Sequence, residues 1–182
     1  LMTVQWISAI PIIESYSDLS PERIVLFNRI EQAVLPLTLI TQLFLTYLVI
    51  SFFGTSIILI IYGLIFIVVF LLYGLAPSIA VVFFSQTLLR VFEYGFNKPS
   101  REIIYSQLKK KDRYKSTVFI DTFVTRFGDL TGSLFVGLGK VAAISITVVP
   151  LLAIPFAGIF SLTGYKISKI FEEKSKNPEI PQ

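Results

Sequence analysis

Residues 54–75 read GTSIILIIYGLIFIVVFLLYGL, without a single Asp, Glu, Lys or Arg. About 20 mostly apolar residues suffice for a helix to cross the hydrocarbon core of a bilayer, and this stretch meets that length alone. The rest of the chain agrees with it. Hydrophobic residues make up 54% of the sequence, charged residues only 15%, and the mean hydropathy is +0.75. That is too little charge to solvate a globular surface of this size, so the chain uses lipid as its solvent.

Working outward from 54–75, four further runs have the length of a span. Residues 30–53 precede it, after a wetter start at Asn28–Gln32, and Ala76-Pro77 turns the chain into a third run ending near Tyr105. Proline suits the first turn of that third helix. A fourth run covers 117–138 and a fifth 142–165. The expectation is an all-α membrane protein of about five transmembrane helices, with the bundle occupying 20–170. Residues 1–19 read as the end of a preceding helix, interrupted by Pro11, and a non-cytoplasmic loop. Ser20-Pro21-Glu22 has the form of a helix start, Ser as the cap and Pro just inside. The stretch 171–182 reads as a disordered cytoplasmic tail.

Charge sets the orientation. The segment 98–115 holds Lys98, Arg101, Lys109, Lys110, Lys111, Arg113 and Lys115 against Glu102 and Asp112 alone. The C-terminal region adds Lys166, Lys169, Lys174 and Lys176. Two crossings separate these regions, so they share a side, and the excess of Lys and Arg makes that side cytoplasmic. The other side receives Glu14, Asp18, Glu22 and Glu31 with Arg23 and Arg29. The run Lys109-Lys110-Lys111 is read as topology first and lipid-headgroup contact second. The first residue is Leu1, with no charged region ahead of a short apolar run, so a signal peptide is not expected. The chain is expected to begin inside a longer protein.

Ionisable residues inside such spans cost roughly 2.5–3.5 kcal/mol each on the lenient insertion scale. This chain nevertheless keeps Arg90, Glu93, Asp121, Arg126 and Asp129. They fall in stripes at helical spacing: Glu31, Thr38, Gln42 and Thr46 on the first helix; Gln86, Arg90, Glu93, Asn97 and Arg101 on the third; Thr122, Arg126, Asp129, Ser133 and Lys140 on the fourth. A polar face cannot look at lipid. Gln42, Gln86, Arg90, Glu93, Asn97, Arg126, Asp129 and Ser133 are therefore the candidates for a solute pathway, with Arg90, Glu93, Arg126 and Asp129 expected around one cavity. Arg90 with Glu93, and Arg126 with Asp129, are also spaced to neutralise each other as plain structural pairs. Gly128 and Gly132 form a GxxxG pair suited to close helix approach. Lys140, near a helix end, can snorkel. The 17 phenylalanines read as lipid contacts and not as a binding cage.

Several kinds of chemistry are excluded. With no Cys and no His there are no disulfides, thiolate nucleophiles, imidazole bases or zinc sites of the usual type. No phosphate loop, nucleophile elbow or metal-ligand cluster occurs in the sequence. Neither an enzyme nor a cofactor is expected.

Three segments carry a family resemblance: Asn97-Lys98-Pro99-Ser100-Arg101-Glu102-Ile103-Ile104-Tyr105, then Lys111-Asp112-Arg113-Tyr114-Lys115, then Ile120-Asp121-Thr122-Phe123-Val124 with Arg126 and Gly128-Asp129. In order and spacing they resemble the "RPAREhLaT", "KYKAK" and "hDThVaRhGD" segments of the ATP:ADP antiporter family and its major-facilitator-like bacterial relatives. Lys98 stands for a frequent Arg of the family and Ser100 for Ala. The resemblance covers about 19–135, and more loosely extends to Lys169. It implies a twelve-helix secondary transporter of two six-helix halves in a bacterial inner membrane, the present spans being helices eight to twelve. The implied partners are membrane lipid, the N-terminal half of the same transporter, and a small anionic solute such as ATP and ADP; nucleic acid is not among them. In that setting Arg90, Arg126 and Lys140 would draw phosphate charge while Glu93 and Asp129 hold the arginines. A structural or partner-binding membrane subunit without transport, or a carrier of a non-nucleotide solute, is the alternative.

Overall fold

In a computed structural model, residues 1–17, 19–106, 108–145 and 147–176 are described. Asp18, counted above on the acidic side, lies outside them, as do 177–182 of the expected tail. The described residues are helical nearly throughout and contain no strand. The helices are α1 (Met2–Tyr16), α2 (Ser20–Ile40), α3 (Thr46–Leu75), α4 (Ile79–Phe92), α5 (Lys98–Ser106), α6 (Lys110–Val118), α7 (Thr125–Val141) and α8 (Val148–Lys176). Three single π-helical turns, Thr41–Leu45, Glu93–Asn97 and Phe119–Val124, join α2 to α3, α4 to α5 and α6 to α7 without a break.

Four stretches are long and apolar enough to cross a membrane: Ser20–Thr55, Ile57–Leu75, Ile79–Ser106 and Val148–Ile167. The protein is an all-α membrane protein. The expected span at 117–138 is not among the four, because Asp121, Arg126, Asp129 and several small polar residues dilute its apolar content. It is helical all the same, and its end doubles back on α8: Gly139 meets Val149, and Phe135, a turn earlier, meets Phe156, further along α8. The last span begins at Val148, six residues later than expected, and its helix continues to Lys176, into the stretch expected to be disordered.

The first two spans meet at Gly54, whose φ of 75° and ψ of 163° interrupt an otherwise continuous helix. Only glycine adopts that backbone region at ease, so the expected boundary falls on the residue that makes it. The next junction is different. Pro77 lies ahead of the helix, and Ser78 is the cap, its hydroxyl accepting from the Val81 N–H at 3.3 Å. At the start of α2 the cap position is Leu19, with Ser20 already helical.

α3 and α8 pack antiparallel along their length. Gly74 faces Leu151, Gly63 faces Ser161 and Gly164 faces Leu59, so as one number rises the other falls. A Cβ on Gly63 would lie 2.7 Å from the Ser161 Cβ, which shows how closely the backbones approach. The Ser161 hydroxyl donates to the Ile60 carbonyl at 3.0 Å across this contact. Tyr62, Phe66, Val69, Phe70 and Tyr73 of α3 and Val149, Ala153 and Ala157 of α8 form the middle of the core. The buried Phe66 and Phe70 depart from the lipid-facing role expected of phenylalanine, while Phe52, Phe84 and Phe123 are exposed as expected.

α1, the stretch expected to end a preceding helix, packs in the same bundle. It passes through Pro11 without a break and buries Val4, Gln5, Ser8, Ala9 and Ile13, one face at helical spacing. Gln5 donates to the Tyr73 hydroxyl at 2.8 Å, tying α1 to α3. Gly132, the second glycine of the GxxxG pair, packs against Thr3 and Val4 of α1, whereas a Cβ on Gly128 would meet nothing within 4 Å.

A candidate solute cavity

One end of the bundle contains an open-sided cavity of about 620 Å³, lined by α1, α3, the π turn Glu93–Asn97 with α5, residues between Ile120 and Asp129, and residues between Phe160 and Ile167 of α8. Its walls are mostly apolar and aromatic, including Leu59, Tyr62, Phe66, Tyr94, Tyr105 and Phe160. Against this background stand Glu93, Asn97 and Arg101 on one wall and Asp129 on another. Arg101 and Ile167 both line it, so the ends of α5 and α8, which carry the two basic regions, lie at the same end of the bundle.

The first wall is built by a helix with an extra residue in one turn. Glu93 and Asn97 bound the π turn and Arg101 follows one α turn later. Asn97 donates to Glu93 Oε2 at 2.6 Å, and Arg101 donates to Glu93 Oε1 at 3.4 Å. One carboxylate is thus held by an amide and a guanidinium, and Tyr62 lies beside it. A π turn frees backbone carbonyls from their usual partners. Here they are satisfied from the π turn Thr41–Leu45 and the start of α3: Gln42 donates to the Tyr94 carbonyl at 3.1 Å and Thr46 to the Gly95 carbonyl at 2.6 Å. A Cβ on Gly95 would sit 2.5 Å from Thr41 Cγ2, so glycine is what lets the two π turns approach.

On the other wall Asp129 Oδ1 accepts from the Thr3 hydroxyl of α1 at 2.6 Å. Its other oxygen lies 4.0 Å from Arg126, an i,i+3 neighbour.

The sequence candidates divide accordingly. Glu93, Asn97 and Asp129 line the cavity. Arg90 does not: it is paired with Glu31 of α2, not with Glu93. Arg126 keeps its i,i+3 contact with Asp129, but its side chain is 83% exposed and off the cavity, so the four residues expected around one cavity do not all line it. Gln42 is exposed and serves the π-turn backbone. Gln86 is buried away from the cavity, with its Nε2 unpartnered. Ser133 is exposed and bonds back to the Asp129 carbonyl at 2.9 Å. Arg101, which belonged to the third-helix stripe, emerges as the guanidinium of the site, and Tyr62, Tyr105 and Phe160 supply an aromatic lining that the phenylalanine count did not single out.

The cause of the split is geometric. In an unbroken α-helix Gln86, Arg90, Asn97 and Arg101 would share one face. The extra residue of the π turn rotates everything after it by roughly 100°. Gln86 and Arg90 then face one way, and Asn97 and Arg101 another.

No family model, curated protein or solved structure matches the chain.

Proposed function

We propose that this chain is part of a secondary transporter and that the cavity is a section of its solute pathway. The observation that carries the reading is the gathering of Glu93, Asn97, Arg101 and Asp129 around one cavity inside a bundle of membrane-crossing helices. Passive anchoring needs no such group, and ionisable residues at membrane depth are costly unless sheltered. The cavity lies at the end where α5 and α8 finish, which the positive-inside rule assigns to the cytoplasm. In a bacterial inner membrane this is an inward-facing vestibule. The exposed Arg126, on a helix that also exposes Phe123, Phe127 and Leu130, fits a face covered by the other half of the carrier. Rocking of that half against this bundle would open the vestibule alternately to each side. Glu93 and Arg101 hold each other at one wall; solute entering between them takes over part of their hydrogen bonding.

A partner-binding subunit without transport is favoured by the same exposed Arg126, since that role also needs a protein cover. Uptake separates the two. Full-length protein in liposomes should accumulate labelled solute from a panel that includes ATP with internal ADP, other organic anions and amino acids. Arg101→Gln should reduce that uptake at least ten-fold with helical content unchanged. Correctly inserted protein that moves no member of the panel contradicts transport.

A further inference from the structure

Resting on the reading of the cavity as a solute site, we infer that its cargo is a compact zwitterion with an apolar body, the class of α-amino acids with large apolar side chains, and not a polyanion. Among the side chains described in the lining there is one cation, Arg101, and there are two carboxylates, Glu93 and Asp129. Arg101 is already bonded to Glu93. The other two arginines at this depth lie off the cavity: Arg90 pairs with Glu31, and the side chain of Arg126 is exposed on the outer face. A polyphosphate entering this space finds no uncommitted side-chain cation, and it meets Asp129.

A solute with one charge of each sign fits better. Arg101 offers its guanidinium N–H groups to a carboxylate, a pairing that suits the planar fork. On another wall Asp129 Oδ2 has only the outward-lying Arg126 side chain near it, at 4.0 Å and beyond hydrogen-bond reach, so its carboxylate can take an ammonium group. The remaining surface, with Leu59, Phe66, Ile104 and Phe160, suits an apolar side chain, and about 620 Å³ accommodates one. The aromatic rings also favour an ammonium group over an anion.

The test is equilibrium binding of labelled phenylalanine to the full-length protein in nanodiscs. Unlabelled phenylalanine and leucine should compete. 3-Phenylpropionate, which lacks the ammonium group, and phenethylamine, which lacks the carboxylate, should compete at least ten-fold more weakly, and ATP not at all. Arg101→Gln and Asp129→Asn should each weaken binding at least ten-fold, Asp129→Asn losing the preference over 3-phenylpropionate, with helical content by circular dichroism unchanged. Tighter binding of ATP or 3-phenylpropionate than of phenylalanine, or no binding of either amino acid, overturns the inference. Liposome uptake keeps the two claims apart. Binding of phenylalanine without uptake supports the ligand class and removes transport; uptake of ATP without amino-acid binding keeps transport and removes the ligand class.

Discussion

Replacing Gly63 with alanine would place a Cβ 2.7 Å from the Cβ of Ser161 and 2.9 Å from its Cα and N, and that backbone cannot move aside. Overpacking of this kind costs about 1–3 kcal/mol, so Gly63→Ala is expected to destabilise the α3–α8 pair by that amount in a reversible unfolding titration in micelles. Gly128→Ala is the control. Nothing lies within 4 Å of its would-be Cβ, and alanine is the better helix former by about 1 kcal/mol, so stability should hold or rise. The GxxxG spacing marked Gly128 and Gly132 as the packing pair, yet only Gly132 touches another helix closely, at 3.2 Å from Thr3. Spacing shows that two glycines share a face; which partner that face meets depends on the fold. The same limit explains the arginines. Periodicity put Arg90 and Arg126 on polar stripes but carried no information about Glu31 across the bundle, which takes Arg90 away from Glu93.

Among the elements, the membrane spans were legible because lipid imposes a length and a composition on them. The boundary at Gly54 was legible for a related reason, since apolar runs on both sides left one residue able to turn. Gly54→Ala forces a side chain into a backbone region that costs of order 1–3 kcal/mol. The expected outcome is a loss of that size in unfolding free energy, and cysteine cross-links between the two arms of the bend should become slower. Unchanged stability and cross-linking would mean that the bend does not depend on glycine. The π turns were not legible. Nothing in Glu93-Tyr94-Gly95-Phe96-Asn97 distinguishes a π turn from an α turn until Gln42 and Thr46 of the neighbouring helix are seen to receive its carbonyls. That one extra residue decided which half of the stripe reached the cavity. Helix α1 was hidden differently: Pro11 suggested an interruption, but burial against α3 and α7 keeps the helix continuous.

For the whole molecule, the two basic regions come together at one end, and that end also holds the cavity. The parity of crossings had implied the first point; the second needed the packing. Orientation in the membrane is tested by Lys110→Cys in a chain that has no cysteine of its own. It should react with an impermeant maleimide only when the cytoplasmic face is exposed, and labelling from outside intact cells would reverse the assignment.

The central claim is that water and solute reach the interior of this bundle, and Thr163, on the cavity-lining face of α8, offers the most direct test. In the full-length protein in membranes, Thr163→Cys should be modified by a small hydrophilic thiol reagent. Leu130→Cys, on the exposed apolar face of α7, should react only with an apolar one. A Thr163→Cys variant that resists the hydrophilic reagent while remaining folded would mean a dry cavity and would contradict the account.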